Sequence, residues 1–188
     1  MSLISLCFAV LAAIFFAMDW RTWKEALIFA AVTVFLSGLF DALDGKVARI
    51  SRKASKRGDF IDHAIDRYSD AIILAAIALS ASQSCPVSFG LFAVIGVLLA
   101  SYMGTQAQAL GLGREYRGIL GRADRLILII AVALIQYAFE ATDSGLLNID
   151  NIFGYSLIAW MMIYFGLAGN ITALQRAHKI WKSLPRSE

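Results

Sequence analysis

Four aspartates carry the clearest chemical signal in this sequence, and they form two pairs separated by a basic stretch. Asp41 and Asp44 are spaced i and i+3, whereas Asp62 and Asp66 are spaced i and i+4. On a helix, both spacings place the two members of a pair on one face. If the two helix ends meet, the four carboxylates converge, and converging carboxylates favour a hard cation such as Mg²⁺ or Mn²⁺. We therefore predict a divalent metal site formed by these four aspartates.

The residues around the aspartates indicate a phosphate ligand, because protein-bound Mg²⁺ commonly shares its coordination shell with substrate phosphates. Gly45, Ala48 and Gly58 are small enough to let a phosphate approach the backbone, and Arg49 can contact it through a planar guanidinium. Asp66 is the last of the four acids, so we predict that it accepts a proton from an incoming hydroxyl. Taken singly, acids near a helix start also interact with the helix dipole, and basic loops also mark topology.

The elements that carry these residues are long apolar segments. The chain has 188 residues, of which 59% are hydrophobic and 16% charged, and its mean hydropathy is +0.68. Apolar blocks of about 20 residues match the thickness of a bilayer, and they lack the alternation of barrel strands. We predict an all-α membrane protein with one domain, residues 1–188, and six transmembrane helices. The predicted spans are 2–18, 24–45, 60–82, 86–110, 122–141 and 152–174.

Basic residues in alternate loops predict the orientation of these spans. Lys and Arg collect around 46–57, around 111–125 and in the tail, whereas the opposite loops are nearly neutral or acidic. Because short cytoplasmic loops carry an excess of Lys and Arg, we predict that both termini and the acidic site face the cytoplasm. The protein is then a multi-pass protein of the cell membrane.

The aspartates belong to a longer pattern that resembles a known family. The segment DALDGKVAR, then eight residues, then GDFIDHAID, is similar to the signature of the CDP-alcohol phosphotransferase family. That signature reads D-x-x-D-G-x-x-A-R-x8-G-x-x-x-D-x-x-x-D, and every fixed position and gap length is met here. The matching residues are Asp41, Asp44, Gly45, Ala48, Arg49, Gly58, Asp62 and Asp66.

The resemblance implies a reaction that moves the phosphate-linked group of a CDP-alcohol to a second alcohol and releases CMP. It implies that the four aspartates hold one or two Mg²⁺ or Mn²⁺ ions, with Asp66 as the base. It also implies that Gly45, Ala48, Arg49 and Gly58 line the cytidine and phosphate pocket. The expected partners are a CDP-linked lipid donor, a phosphorylated alcohol acceptor, membrane lipids and, since family members are commonly homodimers, a second copy of the chain. No nucleic acid is expected among them.

Four arginines between the predicted fourth and fifth spans bear on the acceptor: Arg114, Arg117, Arg122 and Arg125. Such a cluster can bind a phosphorylated acceptor, although topology signalling and anionic headgroups also account for basic segments. The run GTQAQALGLGREYRGILGRADR resembles one group of the family, the archaetidylinositol phosphate synthases, which join CDP-archaeol to inositol 1-phosphate. We therefore expect inositol 1-phosphate as acceptor and CDP-archaeol or CDP-diacylglycerol as donor.

Two departures from the family pattern and several alternatives stay open. Bacterial phosphatidylinositol phosphate synthases carry a K-x-R pair where Gly104 and Gln106 align here. Family members usually begin with an amphipathic surface helix, which we expect to be missing because MSLISLCFAVLAAIFF opens within the predicted first span. Glycerol 3-phosphate or serine as acceptor, or CDP-inositol as donor, are alternatives within the family. A cation transporter is the alternative from another class, but its acids would lie near the bilayer midplane.

Overall fold

Six helices make up the described part of the chain in a computed structural model. The structure describes residues 2–50, 55–80, 85–113, 115, 118–142 and 155–184. The helices are α1 (Ser2–Ala17), α2 (Ala26–Ile50), α3 (Lys56–Ala78), α4 (Val87–Ala109), α5 (Arg122–Ala141) and α6 (Leu157–Ser183). They coincide with the six predicted apolar segments, so the all-α prediction is confirmed.

Helix ends differ from the predicted spans where basic residues flank the apolar segments. α2 continues past residue 45 to Ile50, and α6 continues past residue 174 to Ser183. Hydropathy marks only the apolar part of a helix, whereas Lys, Arg and Gln continue a helix readily in water. α3 begins before residue 60 because Ser55 caps it: the Ser55 hydroxyl accepts the N–H of Gly58 at 3.1 Å.

Three of the described helices are long and apolar enough to cross a membrane, judged by length and composition: Ala26–Val47 in α2, Val87–Ala109 in α4 and Leu157–Ser183 in α6. α1 is apolar but has only 16 residues. α3 and α5 differ from these because they carry the acidic and basic residues of the candidate site. These observations indicate a membrane protein.

Small residues bring the helices close together. α4 and α6 meet at glycines: a Cβ added to Gly169 would lie 2.7 Å from the carbonyl carbon of Gly96. Such small positions let helix backbones approach closely in a membrane. α1 and α2 meet at two buried serines, where the Ser5 and Ser37 hydroxyls each donate to the other residue's carbonyl oxygen at 2.9 Å.

α3 and α5 pack between these pairs and complete the bundle. α3 contacts α1 and α4, whereas α5 contacts α2 and α6. At one end, the buried Gln136 of α5 accepts the backbone N–H of Leu157 at 3.2 Å and so caps the start of α6. The signature residues lie near the opposite end of α5, around Arg122. The packing therefore places α2, α3 and α5 side by side where the site forms.

Candidate active site

A cavity of about 500 Å³ lies where the ends of α2, α3 and α5 meet α4 and α6. Its charged and imidazole-bearing residues come from α2, α3, α5 and α6 and from the α4–α5 loop. They are Asp41 and Lys46 of α2, Asp62, His63, Asp66 and Arg67 of α3, Glu115 of the loop, Arg122 and Arg125 of α5, and Arg176 of α6. The cavity therefore combines carboxylates with several arginines.

The acidic side of the cavity is centred on α3. Asp62, His63 and Asp66 each offer one ligand atom, and these three atoms lie within 4.8 Å of one another. Asp41 faces the same cavity from α2. Asp44 lies outside the set of described residues that line it, and its Oδ2 accepts a hydrogen bond from the Ser2 hydroxyl at 2.5 Å. Three of the four predicted metal ligands therefore share one cavity.

Arg122 lies between the acids of the two helices. Its Nη1 donates to Oδ2 of Asp41, and its Nη2 lies 2.7 Å from Oδ1 of Asp66. The contact with Asp66 meets the distance of an ion pair but lacks the angle of a hydrogen bond. As the first residue of α5, Arg122 thus joins α5 to both acidic helices.

The carboxylates fit a divalent cation by the chemistry of their oxygen atoms. Oδ1 of Asp41 and Oδ1 of Asp66 are buried, and neither has a hydrogen-bond partner among the described residues. Buried polar atoms normally have partners, and a carboxylate oxygen without one is costly. With Asp62 alongside, these hard donors are the kind that Mg²⁺ and Mn²⁺ prefer. The site is therefore a good candidate for a divalent metal.

A second ion pair fixes α5 against α3 beside the cavity. Arg125 Nη2 donates to Asp70 Oδ2 at 2.6 Å, and the two side chains are 4% and 6% exposed. Arg67 lies between the acids, 3.7 Å from Oδ2 of Asp66 and 4.0 Å from Oδ2 of Asp70. Charges of opposite sign thus alternate from Asp70 through Arg67 and Asp66 to Arg122.

The other predicted site residues fall into three groups. Gly45 lines the cavity, and a Cβ added to it would meet no atom within 4 Å. Gly58 is described at the start of α3, where it contacts Ser55 rather than the cavity. The side chains of Ala48 and Arg49 lie outside the description, as do Arg114 and Arg117 altogether.

Several cavity residues were not among the predicted site residues. Arg67 and His63 adjoin signature aspartates, so their proximity to the site was the available signal. No sequence pattern near Arg176 indicated a role in the site, because this residue belongs to α6 and reaches the cavity only through the packing of the helices. Its Nη1 donates to the carbonyl oxygen of Ala100, and a Cβ on Gly104 would lie 3.2 Å from that nitrogen.

A helical membrane bundle whose cavity combines carboxylates with arginines is suited to an enzyme that acts on a phosphate ligand. Residues 1–172 match the sequence profile of the CDP-alcohol phosphatidyltransferase family. The chain belongs to this family, whose members are transferases that form phospholipids. The resemblance noted at the signature aspartates is thereby confirmed.

Individual relatives agree with this membership. An archaetidylinositol phosphate synthase of Pyrococcus horikoshii is 31% identical over 166 residues, which cover 88% of this chain and 77% of that protein. The fold matches the crystal structure of Mycobacterium tuberculosis phosphatidylinositol phosphate synthase with CDP-DAG bound, with TM-score 0.73, 22% identity and coverage of 100% and 90%. The same enzyme in complex with manganese and citrate matches with TM-score 0.72, 22% identity and coverage of 100% and 86%.

Proposed function

We propose that the protein transfers the phospholipid group of CDP-archaeol or CDP-diacylglycerol to inositol 1-phosphate and releases CMP. The observation that carries this proposal is the pairing of acidic and basic residues in one cavity, around Arg122, Asp41 and Asp66. A reaction between a diphosphate donor and a phosphorylated acceptor needs a site of this kind. The names of the relatives support inositol phosphate as the acceptor.

On the donor side, the residues of α2 and α3 bind the CDP group. Asp41, Asp44, Asp62 and Asp66 would hold one or two divalent cations, Mg²⁺ or Mn²⁺. When bound, the cation offsets charge on the diphosphate and on the departing CMP. Asp44 accepts a hydrogen bond from Ser2 and lies outside the described cavity lining, so its side chain would have to turn toward the cavity to join the other three. Gly45 leaves open space on the cavity wall for the donor.

Asp66 is the proposed base. The acceptor hydroxyl attacks the phosphorus that carries the lipid, the bond from that phosphorus to CMP breaks, and the hydroxyl proton passes to an Asp66 oxygen. Oδ1 of Asp66 is buried and forms an ion pair with Arg122 but makes no hydrogen bond among the described side chains, so it keeps a lone pair that can accept the proton. Burial also excludes water that would otherwise compete with the acceptor hydroxyl.

On the acceptor side, arginines bind the phosphate of inositol 1-phosphate. Arg122 and Arg176 both line the cavity, on α5 and α6. Arg176 lies next to Gly104 and so brings a positive charge to the position where bacterial relatives were aligned with a K-x-R pair. Arg125 is paired with Asp70 and lines the cavity from a more fixed position. Arg114 and Arg117 remain proposed members of this group.

The proposal includes the setting of the enzyme. All six helices would cross the cell membrane, with both termini and the cavity at the cytoplasmic face, where the water-soluble acceptor and CMP are exchanged. Residues 1–188 would form one domain of a homodimer surrounded by membrane lipids.

The test is CMP release by the purified protein with Mg²⁺ or Mn²⁺ and CDP-archaeol. Inositol 1-phosphate is compared with glycerol 3-phosphate and serine, and CDP-diacylglycerol replaces CDP-archaeol in parallel reactions. We expect release with inositol 1-phosphate and its abolition by a chelator. Release with glycerol 3-phosphate or serine alone would contradict the proposed acceptor, and CMP release that persists after chelation would contradict the role of the metal.

A further inference from the structure

The backbone of the loop that leads into α5 is hydrogen-bonded to a single buried hydroxyl group of α6. Thr172 is completely buried, and its Oγ1 accepts two backbone hydrogen bonds, from the N–H of Ile119 at 3.1 Å and of Leu120 at 3.3 Å. Thr172 is outside the described residues that line the cavity. Its contacts are instead with the chain just before Arg122.

Close packing reinforces these two hydrogen bonds. A Cβ added to Gly118 would lie 2.2 Å from Cγ2 of Thr172, so the loop backbone passes directly over the threonine methyl group. Leu120 is 1% exposed and belongs to the hydrophobic core. The N–H of Gly121 then donates to Oδ2 of Asp124 at 3.0 Å, which fixes the first turn of α5.

The consequence is a rigid connection from α6 to the acidic residues. Leu120, bonded to Thr172, precedes Arg122 by two residues, and Arg122 contacts Asp41 and Asp66. A shift of the Leu120 backbone must therefore shift the guanidinium that lies between the two carboxylates. We propose that Thr172 is a positioning residue that sets Arg122 against these acids, and that, if the proposed function holds, it thereby sets the acceptor phosphate site.

The hydroxyl oxygen of Thr172 is the part of the side chain on which this role depends. Valine has nearly the same shape but no acceptor. Thr172→Val would therefore leave the N–H groups of Ile119 and Leu120, the latter of which is buried, without this partner and favour a displaced loop. Serine keeps the oxygen acceptor and loses only the methyl group under Gly118. Thr172→Ser should therefore preserve the position of Arg122, whereas Thr172→Val should not.

The first test measures Mn²⁺ affinity of the full chain, which needs no turnover. Arg122→Gln removes a positive charge from between two carboxylates, so it should tighten Mn²⁺ binding about fivefold. Thr172→Val should tighten it in the same direction, and the double variant should bind no more tightly than Arg122→Gln alone. A matched control is Thr33→Val, because the Thr33 hydroxyl bonds only carbonyl groups of its own helix among the contacts described. It should bind Mn²⁺ like the wild type.

The outcomes of this cycle separate positioning from general damage. The proposal would be overturned if Thr172→Val bound Mn²⁺ with wild-type affinity. It would also be overturned if the fold-changes in Mn²⁺ affinity of Thr172→Val and Arg122→Gln multiplied in the double variant, because the two residues would then act independently. Equal changes in Thr172→Val and Thr172→Ser would overturn it as well. If Thr172→Val does not fold, Thr172→Ala removes the same acceptor without adding a methyl group at its position, and the same comparisons decide.

The second test uses steady-state CMP release, once an acceptor is established. Thr172→Val should raise KM for the phosphorylated acceptor about tenfold while the affinity for the CDP-lipid stays within twofold of wild type. Thr172→Ser should restore the acceptor KM. Equal losses for donor and acceptor would indicate a merely structural role and overturn the positioning role. If the wild type released no CMP but the Mn²⁺ affinities of the single and double variants followed the expected pattern, the proposed function would be refuted. The positioning of Arg122 by Thr172 would still be supported.

Discussion

At the scale of single residues, the four signature aspartates occupy different environments. Asp66 is 6% exposed and lies within reach of Arg122 and Arg67, whereas Asp44 is partly exposed and bonded to Ser2. A buried carboxylate whose oxygen forms an ion pair but no hydrogen bond is suited to proton transfer, and a more exposed one is suited to holding a cation that arrives from water. The identical side chains of the signature are thus differentiated by the helices around them.

The role of Asp66 can be tested with a nearly isosteric change. Asp66→Asn keeps an oxygen for the metal but removes the proton acceptor, so we expect turnover to fall about a hundredfold to ten-thousandfold with little change in CDP-lipid binding. The measurements are CMP release and equilibrium binding of the donor. Asp19→Asn is the control, because Asp19 is exposed between α1 and α2, outside both the signature and the described cavity lining. Turnover near the wild-type rate in Asp66→Asn would exclude Asp66 as the base.

Gly45 allows a second residue-scale prediction. A Cβ at this position meets no protein atom within 4 Å, so Gly45→Ala should leave the melting temperature unchanged or higher, as alanine favours helices. The same methyl group enters the cavity where the CDP group is proposed to bind, and we expect donor affinity to fall about tenfold.

The matched control is Gly38→Ala, on the same helix but outside the described cavity lining. Its Cβ would lie 3.1 Å from Cδ1 of Leu126, so a small packing change is expected without a change in donor affinity. Unaltered CDP-lipid binding in Gly45→Ala would show that the donor does not approach this part of α2.

At the scale of helices, the site depends on how α5 is held against α3. The Arg125–Asp70 pair is almost completely buried, and breaking a buried pair leaves an uncompensated charge. The pair therefore fixes the rotation of α5, and with it the direction of Arg122 one turn earlier. Thr172 acts on the same helix from its other side, through the α4–α5 loop.

Arg125→Met should consequently destabilise the fold by about 3–5 kcal/mol, seen as a lower thermal midpoint in detergent. The control is Lys179→Met, which breaks the pair of Lys179 with Glu115 at a position where the lysine is 47% exposed. Because solvent screens a pair with one half-exposed partner more than a buried pair, the midpoint of Lys179→Met should fall less than that of Arg125→Met. Equal thermal midpoints for the two variants would contradict the prediction that the Arg125–Asp70 pair contributes more to the free energy of unfolding than the Lys179–Glu115 pair.

The sequence was sufficient to predict the helices but not their contacts. Apolar length located all six. The structure brings Asp41 of α2 and Asp62 and Asp66 of α3 to one cavity, whereas Asp44, spaced i+3 from Asp41, lies outside its described lining. The pairings of Arg122 and Arg125 and the arrival of Arg176 depend on how helices rotate and pack. No local pattern encodes that rotation, because it results from long-range contacts such as those of Gly96 with α6.

For the whole molecule, the charged residues of α3 and α5 explain why composition alone selects only α2, α4 and α6 as spans. In the middle of α3 the charges of Asp66 and Asp70 are buried, whereas Asp59 near its start is exposed and its outer face carries Phe60 and Tyr68, 73% and 65% exposed. Intramembrane charges that face a bundle interior are usual at functional sites. α3 thus has the surface expected of a helix in lipid, although its average hydropathy is lowered by the site.

If all six helices cross the membrane, the two termini lie on the same side, and the segment between α5 and α6 lies on the other. Single cysteines at Ser183, the last residue of α6, and at Ser144, between α5 and α6, test this in a background of Cys7→Ala and Cys85→Ala. In right-side-out vesicles, a membrane-impermeant maleimide should label Ser144→Cys but label Ser183→Cys only after the membrane is opened. The reason is that Lys and Arg accumulate at the Ser183 end of the bundle and keep it in the cytoplasm.

Inside-out vesicles should give the opposite pattern, and labelling in denaturant provides the measure of full reactivity for each cysteine. Labelling of both positions from one side would mean that α6 does not cross the membrane, and it would contradict the proposal that all six helices span it. Labelling of Ser183→Cys from the outside and Ser144→Cys from the inside would invert the molecule. In that case a cytoplasmic pool of the water-soluble acceptor could not reach Arg122, and the proposed reaction would lose its substrate.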